Sequence, residues 1–163
     1  MAEFQKSIRG YLFSMTLDAH LAEDLVQETF CKAWIYREQY VEQGTPGAYL
    51  FRIADRILKD YHRKKREMLC DDETWAGLAQ QDHAAFPDEK LQQQEEFLRL
   101  QETLRLLTPI QQHVLTLRYF SQLKFSEIAR IVEMPLNTVL SHVHRGLEEL
   151  RKRMVFQEDG QVK

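Results

Sequence analysis

FSEIARIVEMPLNTVLSHVHRGLEELRKR, residues 125–153, is the stretch that decides how this chain is read. A short helical pattern, a proline-marked turn and a longer helical pattern follow one another. In the longer pattern Leu136, Val139, Val143, Leu147 and Leu150 recur at spacings of three and four, which predicts one apolar side of a helix. The usual turn per residue sends Thr138, Ser141, Arg145 and Lys152 to the opposite side. Pro135 suits a first helical position, where its missing N–H costs nothing. The pattern is that of a helix-turn-helix whose second helix fits a DNA major groove. The same pattern also serves as a plain packing unit, so the segment alone leaves both readings open.

Working outward, the length of 163 residues allows one ordinary domain or two small ones. Hydrophobic content of 44% and charged content of 29% fit a soluble globular protein. No apolar run approaches the ~20 residues that span a bilayer, and MAEFQKSIRG at the start has no signal-peptide core. Cys31 and Cys70 have no ligand-like spacing and suggest no disulfide framework, so a cytoplasmic location is expected. Gly and Pro are sparse, and few runs are rich in β-branched residues. The fold class expected is all-α.

The net charge of −3 hides an uneven distribution. Between Arg56 and Arg66, the six cations Arg56, Lys59, Arg63, Lys64, Lys65 and Arg66 face the single acid Asp60. From Glu67 to Glu102 acids dominate, with only Lys90 and Arg99 against them, and the chain from Thr103 onward is mildly basic. Phosphate contacts are local, so this asymmetry matters more than the total. It also suggests the organisation: two small helical domains, 1–66 and 91–163, joined by a flexible acidic linker at 67–90 that mixes small residues and Pro87 without a steady period. The linker could shield the basic lobes or serve as a simple solvated tether. The end, EDGQVK, is expected to fray.

The first domain holds two informative helices. In Leu21–Arg37, the residues Ala22, Leu25, Val26, Thr29 and Ala33 share an inward face, while Asp24, Gln27, Glu28, Cys31 and Ile35 fall on the other side. Acids mixed with exposed apolar atoms suit a protein-docking surface, but equally a solvated face with an incidental isoleucine. The second helix, Tyr49–Arg66, follows a turn-like GTPG at residues 44–47. Its apolar stripe is Leu50, Ile53, Ala54, Ile57 and Tyr61. Arg52, Arg56, Lys59, Arg63 and Arg66 lie opposite, within about a quarter of the circumference. A row of like charges wants an anionic partner, which a nucleic-acid backbone supplies; a merely solvated basic face is the alternative. Tyr36, Tyr40 and Tyr49 flank the intervening loop, placed either to stack on unpaired bases or to join the core.

Catalytic constellations are missing from the sequence. His142 and His144 are two apart and point to different sides of their helix, so they cannot form an i, i+4 metal pair. There is no Gly-rich phosphate loop and no G-x-S-x-G elbow. No enzyme activity, cofactor, metal or small-molecule substrate is expected.

AEDLVQETFCKAW at Ala22–Trp34, AYLFRIADRILKDYHRKKR at Ala48–Arg66 and the whole of Leu107–Arg153 resemble bacterial RNA polymerase sigma factors of the extracytoplasmic-function type. The matches fall in the family's order and cover nearly all the chain outside the linker. The resemblance implies sigma region 2 at 1–66 and sigma region 4 at 91–163. It implies that Asp24, Gln27, Glu28, Cys31 and Ile35 meet core RNA polymerase. The loop from Tyr40 to Tyr49, with Arg52, Arg56, Lys59, Arg63, Lys64 and Arg66, would hold the minus-ten element. Asn137, Thr138, Ser141, His142 and Arg145 would read the minus-thirty-five element. Promoter melting and an anti-sigma partner follow from the same resemblance, and a stand-alone helix-turn-helix regulator is the alternative.

The chain departs from the family pattern in places. Asp55 and Arg56 stand where Arg-Asn is common, and Lys124 where Ser or Thr opens the first helix of the helix-turn-helix. Ser126 is then the expected cap of a shorter helix. Glu133 occupies a turn position usually held by glycine, and Leu140 and His142 replace frequent cations.

Overall fold

In a computed structural model, the structure describes residues 2–39, 45–71, 104 and 106–158. The described residues form α1 (Ala2–Thr16), α2 (Ala19–Ile35), a 3-10 turn at Arg37–Gln39, α3 (Pro46–Asp71), α4 (Pro109–Ser121), α5 (Phe125–Val132) and α6 (Leu136–Glu158). They contain no strand, so the all-α expectation holds for them. The chain divides into two compact units, whose described helices are α1–α3 and α4–α6.

In the first unit α1 and α3 pack on α2 and on each other. Leu17 ends α1 in a left-handed conformation, φ 58°, and Asp18 caps α2 by accepting the Leu21 N–H at 3.0 Å. The inward face of α2 is the predicted one, with Ala22, Leu25, Val26 and Thr29 buried; the Thr29 hydroxyl is satisfied by the Leu25 carbonyl at 2.7 Å.

Helix α3 differs from its sequence reading. The GTPG segment is not a turn throughout. Thr45 caps the helix, its Oγ1 accepting the Ala48 N–H at 3.3 Å, and Pro46 and Gly47 form the first turn. A Cβ on Gly47 would stand 3.0 Å from the Phe4 ring, so a larger residue there would press that ring aside. The helix also runs past Arg66 to Asp71. Its buried stripe is Phe51, Ala54, Asp55, Ile57 and Leu58, whereas Leu50, Ile53 and Tyr61 are only half-buried. Burying Phe51 and Leu58 contributes about 1.5–3 kcal/mol each. Phe51 also meets Tyr11 edge-on, with ring centroids 5.7 Å apart.

The carboxylate on this stripe is neutralised locally. The Tyr11 hydroxyl donates to Asp55 Oδ1 at 3.0 Å, and Lys59 Nζ lies 2.9 Å from Oδ2. Tyr11 is fully buried and Asp55 is 1% exposed, so the pair ties α1 to α3 inside the core.

In the second unit α4, α5 and α6 pack on one another around Val114, Leu117, Ile128, Ile131, Val139 and Val143. Thr108 precedes α4 with Pro109 in its first turn, and Gln111 Oε1 accepts the Thr108 N–H at 3.1 Å. Ser126 is not the cap of α5. The helix starts two residues earlier than that reading needs, and Glu127 turns back to accept the Lys124 N–H at 3.0 Å. Glutamate at the third position thus does the capping that the lysine side chain, a donor only, cannot.

The turn between α5 and α6 carries the expected left-handed glutamate, Glu133, at φ 59°. The Met134 N–H then reaches the Ala129 carbonyl at 3.0 Å, the bond that closes a Schellman-type helix end. Pro135 stands just before α6, and its carbonyl accepts the Val139 N–H at 3.1 Å. The apolar stripe predicted for α6 is only partly covered. Val139 and Val143 are buried, but Leu136 and Leu147 are 41% and 50% exposed. Gly146 is buried instead, since a Cβ there would lie 2.8 Å from Leu115 Cδ1, which brings α6 close against α4.

Burial first, and Asp55 second, hold the Tyr11 phenol well above the usual tyrosine range. The folded protein therefore keeps this proton above pH about 10, where an unfolded tyrosine releases it, so rising pH favours unfolding there. Tyr11→Phe should destabilise the first unit by about 1–3 kcal/mol at neutral pH. That deficit should shrink as the pH rises through about 10 in thermal melts, and a constant deficit would contradict the linkage. Glu133→Gly relieves a left-handed glutamate and should stabilise the second unit by about 0.5–1 kcal/mol, read as a rise in its melting temperature.

Candidate nucleic-acid and protein interfaces

The outer face of α2 carries Asp24, Gln27, Glu28, Cys31 and Ile35, all exposed and within about 100° of one another around the helix axis. Helix periodicity alone brings them together, because the buried face uses the residues between them. Glu28 pairs with Lys32 at 2.8 Å, a solvated i, i+4 bridge that softens the acidic character at that point. Beyond it the helix ends in an apolar cluster that the sequence pattern reveals only in part. Trp34 is 69% and Ile35 60% exposed, and Tyr36 follows them into solvent. The Arg37 guanidinium stacks 4.4 Å from the Trp34 ring and donates to the Trp34 carbonyl at 2.9 Å. This clamp orders the indole while leaving most of it open to a partner. Sequence reasoning missed Trp34; its signal is the run of three large apolar residues at a helix end, directly before an arginine.

The cations of α3 line its outer side. Arg56, Lys59, Arg63, Lys64 and Arg66 are exposed, and Arg52 is half-buried. The row is less repulsive than its sequence suggests, because Lys59 leans on buried Asp55 and Arg63 bonds Asp60 Oδ1 at 3.0 Å. Lys65 stands 5.9 Å over the Tyr61 ring. Half-buried Tyr49 sits in the first turns of α3, close in sequence to Arg52. Tyr36 is exposed at the end of α2, and Tyr40 lies outside the described residues.

On α6 the predicted reading residues share the side away from the core. Asn137, Ser141 and Arg145 are exposed, and Thr138 and His142 are half-buried at its margins. The Ser141 hydroxyl donates back to the Asn137 carbonyl at 2.8 Å, which leaves its lone pairs facing outward. The corner that presents this helix is stiffened from behind. Arg118 of α4 donates to the Leu123 carbonyl and lies 5.1 Å over the Phe125 ring, bridging the connection into α5.

Among the described residues, no group of three or more His, Cys, Asp or Glu is arranged to hold a metal ion. None of their helices is long and apolar enough to cross a membrane. What the geometry offers is surface: one acidic and apolar face, one basic face and one polar face.

Comparison with known proteins places the chain in a family. The sigma-70 region 2 model matches residues 1–68, and the sigma-70 region 4 model matches residues 97–150. The chain is 28% identical to the ECF RNA polymerase sigma factor SigW of Bacillus subtilis (strain 168), over 93% of this chain and 84% of SigW. It is 29% identical to SigM of the same organism, over 95% of this chain and 94% of SigM. A similar solved structure is the sigma factor RpoE, in complex with the anti-sigma factor NepR, from Bartonella quintana. Its TM-score is 0.76 over 91% of this chain and 90% of that one, and at 22% identity it speaks for the fold. With both sigma regions present in order, and relatives matched over nearly their whole length, the chain belongs to the sigma-70 family as an extracytoplasmic-function sigma factor.

Proposed function

We propose that this sigma factor binds core RNA polymerase through the outer face of α2, holds the minus-ten element along α3 and reads the minus-thirty-five element with α6. The observation that carries this reading is the presence of both sigma-70 regions in one chain, each with a polar functional face directed away from its core. A regulator acting alone would need only the helix-turn-helix and would leave the first unit without a role.

The division of labour follows from the surfaces. Asp24, Gln27, Glu28, Cys31 and Ile35 combine charge with apolar contact, as interfaces with a polar rim and an apolar centre do. The cations from Arg52 to Arg66 supply sequence-independent attraction to phosphates. Asn137, Thr138, Ser141, His142 and Arg145 present donors and acceptors to base edges. Promoter opening requires unstacking that costs a few kcal/mol per flipped base, and Tyr40 and Tyr49, the latter in the first turn of α3, are assigned to its capture. Sigma factors are not enzymes, and bond-making belongs to the polymerase; this chain contributes promoter choice and melting. A sigma factor of this kind acts in the cytoplasm. RpoE's solved complex contains an anti-sigma factor, and an anti-sigma partner covering these faces is proposed here as well.

Size-exclusion chromatography with core polymerase, followed by run-off transcription on genomic fragments, tests the whole reading. A complex that yields promoter-specific transcripts is expected, and no complex would overturn it. Asp24→Lys with Glu28→Lys should abolish complex formation while circular dichroism stays that of the folded helices, since both side chains are exposed and the lost Glu28–Lys32 bridge is worth only about 0.5 kcal/mol. Replacing Arg56 and Lys64 with Gln should weaken promoter binding by the holoenzyme and lower its salt slope by about 1 for each phosphate no longer neutralised. An unaltered slope would remove the minus-ten assignment of that face.

A further inference from the structure

The reading helix carries leucines that its own unit covers only in part. Leu136 and Leu140, one turn apart at the N-terminal end of α6, are 41% and 40% exposed. They flank Asn137 and Ser141, two residues with a proposed role in base reading. A helix-turn-helix brings the N-terminal residues of its second helix to the base edges. A side chain as large as leucine in that position, on the border between the core and the polar face, meets whatever the groove floor presents. The major groove offers one apolar group, the C5-methyl of thymine.

We propose that Leu140, with Leu136 beside it, reads thymine C5-methyl groups in the minus-thirty-five element. The inference rests on the sigma reading above and adds to it the base preference of the site. The neighbouring side chains point the same way. The Asn137 amide has the geometry to take adenine N6 and N7 together. Ser141 Oγ donates to the Asn137 carbonyl at 2.8 Å, so it turns lone pairs outward, and these accept from an exocyclic amine of adenine or cytosine. An amide that selects adenine beside a leucine that selects the thymine methyl makes a reader of A·T pairs. Positions 140 and 142 hold no fixed cation, so less of the affinity comes from phosphates and more from shape and apolar contact.

A protein surface is the competing occupant for exposed leucines, and Leu147 is a candidate for one. It lies about 10 Å further along the helix than Leu140, past Arg145, the last of the proposed reading residues. It therefore serves as an internal control.

The test uses holoenzyme assembled from the full chain and core polymerase, on a promoter recovered by run-off transcription. Each minus-thirty-five thymine is replaced singly by deoxyuridine, which removes the methyl group and nothing else. For the unaltered protein, at least one replacement should lower promoter affinity about threefold to fivefold, the worth of one buried methyl. In Leu140→Ala that same replacement should have no effect, because the methyl then has no partner to meet. In Leu147→Ala the penalty should remain. A penalty that persists in Leu140→Ala, or none at any thymine in the unaltered holoenzyme, overturns the proposal. Failure of Leu140→Ala to bind core polymerase would assign the residue to protein docking and overturn it too. Absence of any promoter-specific transcript would instead remove the sigma reading, and this inference with it.

Discussion

Each unit of this protein has three described helices around one small core, so each helix can bury a single stripe and must leave the rest to water. Everything else depends on that constraint. α2 spends its inner face on Ala22, Leu25, Val26 and Thr29, and the residues left outside are those assigned to core polymerase. α6 spends Val139, Val143 and Gly146, and its outer side carries the residues assigned to promoter reading. Binding faces on such small scaffolds are the complement of the packing faces. A change that rotates one stripe therefore displaces the other.

Polar groups caught inside the stripes are handled one by one. Asp55 stands among apolar residues in the buried row of α3, and the fold answers with Tyr11 from α1 and Lys59 from the same helix. A buried carboxylate without such partners would be strongly destabilising. The consequence reaches the surface, because Lys59 is held close to α3 and cannot reach outward as freely as Arg56 or Lys64. The basic stripe is thus graded rather than uniform along the helix. In the second unit, Glu127 caps α5 where Lys124 cannot, and Glu133 accepts a left-handed turn where glycine would be easier. The connections from α4 through α5 into α6 rest on these local solutions and on the Arg118 bridge.

Much of the candidate site is legible in the sequence because helix periodicity sorts residues into faces before any packing is known. The outward residues of α2 and the cations of α3 are readable for that reason, as is the polar side of α6. Trp34 escapes because a terminal tryptophan reads equally as core, and only the tertiary structure shows that it is largely exposed. Phe51 and Leu58 escape for a different reason. Leu50, Ile53 and Tyr61 give a stripe about as regular as the true one, only rotated, so period alone does not choose between them. Ser126 reads as a cap because hydroxyl side chains usually cap; the glutamate that reaches back from the third position is the less common solution.

By itself the sequence determined helix content, the order of two sigma regions and the sign of charge on each outer face. These depend on spacing and residue type, which a linear chain already contains. Only the tertiary structure decided where each helix is covered and how far. It placed Asp55 inside and Leu136, Leu140 and Leu147 partly outside, and it let Gly146 rather than Leu147 face α4. The physical reason is that burial depends on the crossing of neighbouring helices. The absent side chain of Gly146 lets two helices approach, and that approach sets which sector of α6 is left facing outward.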